Sequence, residues 1–94
     1  MNNFAIGGGR CSLTFKNGYR VSLYNGFGSY TDNKFDMDLL EIDDNKIVNS
    51  TYCEIAVIRD GKFVTSEITN NDDSVIGYAS IEDVIDILNK VSKL

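Results

Sequence analysis

Histidine is absent from the 94 residues, and with it go Ser-His-Asp triads, cysteine-histidine pairs and imidazole metal sites. Neither of the two cysteines, Cys11 and Cys53, has a partner at CxxC spacing. No apolar run approaches the length of a membrane span, and Met1, Asn2 and Asn3 lack the basic start of a signal peptide, so a cytoplasmic protein without membrane contact is expected. In a reducing compartment the two thiols are expected as small buried hydrophobes, not a disulfide. There is no run of Lys or Arg either. Fourteen acidic residues against nine basic ones give a net charge of −5, a poor basis for direct nucleic-acid binding, which depends on phosphate neutralisation. That charge suits a basic protein partner, or it merely keeps a small domain soluble. No pair of carboxylates sits at an apolar spacing that would drive their pKa values apart, so neither enzyme activity nor a cofactor is expected.

What is present is an ordinary globular composition, 43% hydrophobic and 24% charged, in a chain of single-domain length, 1–94. The organising stretch is CSLTFKNGYRVSLYNGFGSY, residues 11–30. Asn17-Gly18 is a strong hairpin signal. A two-residue loop would set the apolar series Cys11, Leu13, Phe15 on the face opposite Tyr19, Val21, Leu23. A three-residue loop, Lys16-Asn17-Gly18, pairs Phe15 with Tyr19, Leu13 with Val21 and Cys11 with Leu23, and keeps both series on one side. Gly18 then takes the left-handed position of a bulge. Ser12, Thr14, Arg20, Ser22 and Tyr24 form the polar face.

Upstream, residues 2–6 read as a short edge strand or a frayed end, and Gly7, Gly8 and Gly9 as a flexible turn. Beside Arg10 these glycines could cradle a phosphate, but no helix follows them and they match no phosphate-loop fingerprint. Residues 25–33 are a loop by composition. Its Phe27 and Tyr30 either fold down as a lid on the core or stand as binding anchors. Alternation of Phe35, Met37 and Leu39 with Asp36 and Asp38 predicts a third strand to about Ile42. Asp32, Asp36 and Asp38 fit no calcium-loop spacing. Residues 51–59 are the most β-like run, with Cys53, Ile55 and Val57 on one face. The other face, Tyr52, Glu54, Ala56 and Ile58, is apolar enough for a central strand or a homo-oligomer contact. Asp60-Gly61 predicts a second hairpin into a strand over residues 62–68, its register open between a two- and a three-residue loop. Ser80 caps a helix from Ile81 to about Ser92, with Asp83 completing a capping box and Ile81, Val84, Ile85, Leu88 and Val91 as its apolar stripe.

These elements predict an α+β fold, an antiparallel sheet of four or five strands with one C-terminal helix packed on one face. The expected core is Leu13, Phe15, Val21, Leu23, Ile55, Val57, Val84, Ile85 and Leu88. The candidate binding residues are Arg10, Arg20, Tyr24, Phe27, Ser29, Tyr30, Asp32, Asn33 and Glu54. Binding is expected at the end of the sheet where loop 26–33 meets turn 7–10, with Phe27 and Tyr30 as apolar contacts, Asp32 and Glu54 as charges for a basic partner and Arg10 as the local cation.

Three segments, FKNGYRVSLYNGFGSYTDN, CEIAVIRDGKFV and DDSVIGYASIEDVIDIL, resemble in order and spacing a group of short proteins encoded by bacteriophages and prophages. The features shared with that group are a hairpin followed by a G-x-G-x-Y loop (Gly26 to Tyr30 here), an E-I-A strand core (Glu54, Ile55, Ala56), and an acidic loop (Asp72, Asp73) leading to Gly77-Tyr78 and a helix capped by Ser80. The chain departs from the group at Ser29 and Thr31, where Asn and Cys are usual, and at Ile81, where proline is common. The resemblance implies a phage-encoded inhibitor of bacterial immunity, anti-CRISPR-like or otherwise anti-defence, in the cytoplasm of the infected host. Two mechanisms are compatible with it. One is stoichiometric binding of a defence protein. The other is an oligomeric sponge that sequesters an immune signalling nucleotide, with Arg10 or Arg20 on phosphate and an aromatic ring on the base. A phage structural or host-takeover role is the third alternative.

Overall fold

The computed structural model describes residues 3–94 and builds the first hairpin in the register that keeps both apolar series together. Strands β1 (Phe4–Gly7), β2 (Arg10–Thr14) and β3 (Arg20–Tyr24) come first. Cys11 pairs with Leu23 and Leu13 with Val21, while Phe15 N donates to Tyr19 O across the three-residue loop, with Gly18 at φ +90°. β4 (Ile47–Ser50) and β5 (Cys53–Arg59) follow, then the short β6 (Lys62–Phe63), α1 (Thr65–Thr69), β7 (Ile76–Ala79) and α2 (Ile81–Ser92).

The expected α+β architecture holds, with seven strands in two sheets among the described residues. β1 and β4 form an antiparallel pair of their own, Phe4 opposite Ser50 and Ile6 opposite Val48. The five-stranded sheet runs β2-β3-β5-β6, with β7 also on β5. β5 is therefore central, β3 along one side and β6 and β7 end to end along the other, with Cys53, Ile55 and Val57 buried on one face and Glu54, Ala56 and Ile58 on the opposite, open one. The second hairpin is a two-residue loop. Arg59 pairs with Lys62 and Ile58 with Phe63, and Asp60 and Gly61 both have positive φ, as a type I′ turn requires.

α2 forms as its sequence predicts. Ser80 Oγ accepts from Asp83 N and Asp83 Oδ2 accepts from Ser80 N, a complete capping box. The helix lays Val84, Ile87 and Val91 onto Val21, Leu23, Cys53, Ile55 and Val57, all buried in one core with Phe4 and Ile6. At the far end Asn17 Nδ2 donates to Val91 O in the last turn of the helix and to Leu94 O beyond it, which ties the hairpin turn to the end of α2.

Four expectations are corrected. Residues 35–42 are not a strand, because Asp36 accepts from Asp38 N and folds Met37–Leu39 into a single 3-10 turn with Phe35, Met37 and Leu40 in solvent. The strand expected over residues 62–68 stops at Phe63, where the buried Thr65 hydroxyl accepts from Val57 N in place of a ladder carbonyl and the chain turns into α1. Ile85 and Leu13 leave the core: Ile85 faces solvent because the helix seats on Ile87, and Leu13 stands on the outermost strand, where nothing covers it. Phe15 and Leu88 are partly buried against the core. Finally, Cys11 is exposed, so only Cys53 behaves as a buried hydrophobe; both thiols are free.

Candidate functional site

The loop after β3 does meet the glycine turn. Asn25 N donates to Gly9 O at 2.8 Å, and a Cβ on Gly9, at φ +81°, would lie 3.2 Å from Gly26 Cα. Glycine is needed there both for the dihedral and for the approach. Around this junction the loop is sewn down by buried polar side chains. Asn25 Nδ2 donates to Val48 O and Ser50 Oγ, and Asn33 Nδ2 to Asn25 O and Asn49 O. Ser29 Oγ donates to Gly26 O and shares a 2.7 Å hydrogen bond with Thr31 Oγ1, which also accepts from Asn33 N. Ser29 and Asn33, candidates for binding, are thus buried framework that ties the loop to β4. Phe27 is half-buried, and its carbonyl accepts from the Tyr24 hydroxyl.

Asp32 and Glu54 have framework roles as well. The Asp32 carboxylate accepts from Thr51 N and Tyr52 N at 3.0–3.2 Å, and Glu54 Oε1 accepts from Tyr30 N at 3.1 Å. Tyr30 O in turn accepts from Tyr78 N at 2.8 Å. A Cβ on Gly77 would come within 2.8 Å of Tyr30 Cβ, so the close approach of β7 to the loop requires that glycine. The result is an end of the molecule bearing three exposed tyrosines. Tyr52 and Tyr78 meet edge to face at 6.1 Å, Tyr30 and Tyr78 border one depression with Asp73 and Ser74, and the Lys34 amine lies 4.6 Å from the Tyr30 ring centre. Tyr78 itself sits at φ +52°, a left-handed conformation that a bulky residue adopts only when its surroundings impose it.

Arg10, Arg20 and Tyr24 lie elsewhere, on the sheet face turned away from α2, where Arg10 stacks 4.1 Å above the Tyr24 ring. Nine candidates therefore divide into three groups: the buried loop frame, the tyrosine end, and the open sheet face, with Glu54 bordering the last two. Sequence reasoning missed Tyr52, Tyr78 and Gly77 as parts of the tyrosine end. The Gly77-Tyr78 dipeptide was visible, but its pairing with the loop spans 48 residues and leaves no local signal.

The thiols are drawn away from reactivity. Burial pushes Cys53 up to about 11, and partial desolvation raises the otherwise exposed Cys11 above the ordinary thiol value. Among the described residues no helix is long and apolar enough to cross a membrane. No family model, curated protein or solved structure matches the chain.

Proposed function

We propose that this chain is a non-catalytic binding protein that acts stoichiometrically on a protein partner, and that the partner belongs to a bacterial defence system, as the resemblance to phage accessory proteins implies. The observation that supports this reading is the tyrosine end. Tyr30, Tyr52 and Tyr78 are exposed, yet their backbones are fixed by the Glu54, Asp32 and Tyr30–Tyr78 hydrogen bonds. Rigid exposed tyrosines make efficient anchors, because they offer a large amphipathic contact area and lose little conformational freedom on docking. Asp32 and Asp73 at this end favour a basic surface opposite.

The test is a phage plating assay in hosts that each carry one defence system. Expression of the chain should restore plating against one system, and the purified pair should form a complex of fixed stoichiometry. Tyr30→Ala and Tyr78→Ala should each weaken that complex by roughly 1 to 4 kcal/mol. Restoration at chain levels far below those of the target, or undiminished in the double variant, would refute stoichiometric binding through this end.

A further inference from the structure

The open face of the five-stranded sheet carries a concavity of roughly 510 Å³ in which strand register sets three rows of side chains. Arg20, Ile58 and Phe63 stand in one wall and Arg10, Tyr24 and Glu54 in the other. Ser12, Ser22 and Ala56 lie between them and, being small, make a floor. The walls are about 13 Å apart, four residues at ~3.3 Å each. The concavity is also divided across the strands: β2 and β3 contribute guanidinium and hydroxyl donors, whereas β5 and β6 contribute the apolar Ala56, Ile58 and the exposed Phe63 ring.

Those donors are unspent. Among the described residues, neither arginine lies within ion-pair distance of a carboxylate, and the Ser12 and Ser22 hydroxyls have no hydrogen-bond partner. Arg10 is nonetheless held in place by its stack on Tyr24, whose hydroxyl is anchored on Phe27 O. A Cβ on Gly26 would lie 2.9 Å from Tyr24 Cε1, so that glycine makes room for the ring. Glu54, the one carboxylate bordering the concavity, is engaged by Tyr30 N. The charge distribution points the same way. The first 31 residues hold Arg10, Lys16 and Arg20 and no acid, while all fourteen acids lie after them.

We infer that this face binds a nucleotide, its phosphate over Ser12 and Ser22 between the two guanidiniums and its base against Phe63 and Ile58. Uncompensated arginines are matched by an anion, an oxygen-rich anion is matched by the hydroxyl floor, and an aromatic body is matched by the apolar half. A nucleic-acid strand fits poorly, because beyond the two arginines it would need further cations along its path in a chain of net charge −5. The site shares no aromatic residue with the tyrosine end, so either can fail without the other.

Equilibrium dialysis of the full chain against the four ribonucleoside 5′-monophosphates and 5′-triphosphates, with inorganic phosphate, adenosine and a dT20 oligonucleotide as further probes, tests the inference. At least one nucleotide should bind saturably, at least tenfold more tightly than inorganic phosphate or adenosine. Arg20→Gln and Phe63→Ala should each weaken it about tenfold without lowering the melting temperature, while Phe35→Ser should leave it unchanged. Any of three results would overturn the inference: no nucleotide bound below about 1 mM, a nucleotide affinity indifferent to Arg20→Gln, or dT20 bound more tightly than every mononucleotide.

Discussion

Residues 25–33 and residues 35–42 are neighbours in sequence and opposites in how they divide polar from apolar. In the first segment Asn25, Ser29, Thr31 and Asn33 are 0%, 0%, 2% and 9% exposed; in the second Phe35, Met37 and Leu40 are 82%, 64% and 51% exposed. The usual sorting is inverted in both. In the loop each buried side chain makes hydrogen bonds, Asn25 Oδ1 being the one buried side-chain oxygen without a partner among the described residues, so the cost of taking them out of water is largely offset and the bonds specify one conformation. In the next segment Phe35, Met37 and Leu40 stay largely in solvent, because the 3-10 turn at Met37–Leu39 carries them off the sheet. Burial here follows the availability of partners, not the hydropathy of the side chain.

The sharpest way to break the comparison is to strip the loop of its partners. Asn33→Ala leaves the carbonyls of Asn25 and Asn49 without a donor and should cost roughly 2 to 4 kcal/mol in denaturant unfolding. That is as much as removing a core side chain, for which Ile87→Ala, at roughly 2 to 5 kcal/mol, is the yardstick. A loss below 0.5 kcal/mol would mean that the polar frame is passive.

An intermediate effect is expected from pH. The Cys53 thiol is held protonated up to about 11 in the folded chain, against 9.0 for a free thiol. Below pH 9 both states carry the proton and stability is unaffected. Between pH 9 and 11 the unfolded chain releases that proton and the folded chain keeps it, so stability falls with rising pH. Melting curves of Cys53→Ala should lose that part of the alkaline decline. In native protein, iodoacetamide should modify the exposed Cys11 well before the buried Cys53.

The smallest effect belongs to the exposed segment. Phe35→Ser and Met37→Ser should each change stability by less than about 0.5 kcal/mol, since both side chains lie largely in solvent. A loss above 1 kcal/mol from either would show that the segment packs on the fold after all.

The same contrast separates what was legible in the sequence from what was not. The first hairpin and its register followed from Asn17-Gly18 and one rule about faces, and α2 from Ser80, Asp83 and an apolar stripe, because those signals are local. The stripe put Ile85 in the core, and the structure instead buries Ile87 and leaves Ile85 in solvent. Alternation at Phe35, Met37 and Leu39 looked like a strand because period two describes an extended segment whether or not another strand is present to pair with it. β4 and β7, four residues each, exist through partners at least 40 and 21 positions away, and nothing in Ile47–Ser50 or Ile76–Ala79 announces them. Of the candidate site, Arg20 and Tyr24 were rightly placed on a polar sheet face, Arg10 was read with the glycine turn although it pairs with Tyr24 on that face, and Ser29 and Asn33 were taken for surface because loops usually are.

Asn17 bears on the order of events as the chain folds. Its side-chain amide turns the first hairpin and closes on Val91 and Leu94, more than seventy residues later. The face of β3 that holds Val21 and Leu23 lacks the cover of Val84, Ile87 and Val91 until α2 has left the ribosome, so the early hairpin waits with much of its apolar side open. Long-range closure of this kind makes a slow and all-or-none search. While it lasts, the hydroxyl-lined side of the same hairpin is its only soluble face, which gives Ser12, Thr14 and Ser22 a use before any ligand arrives.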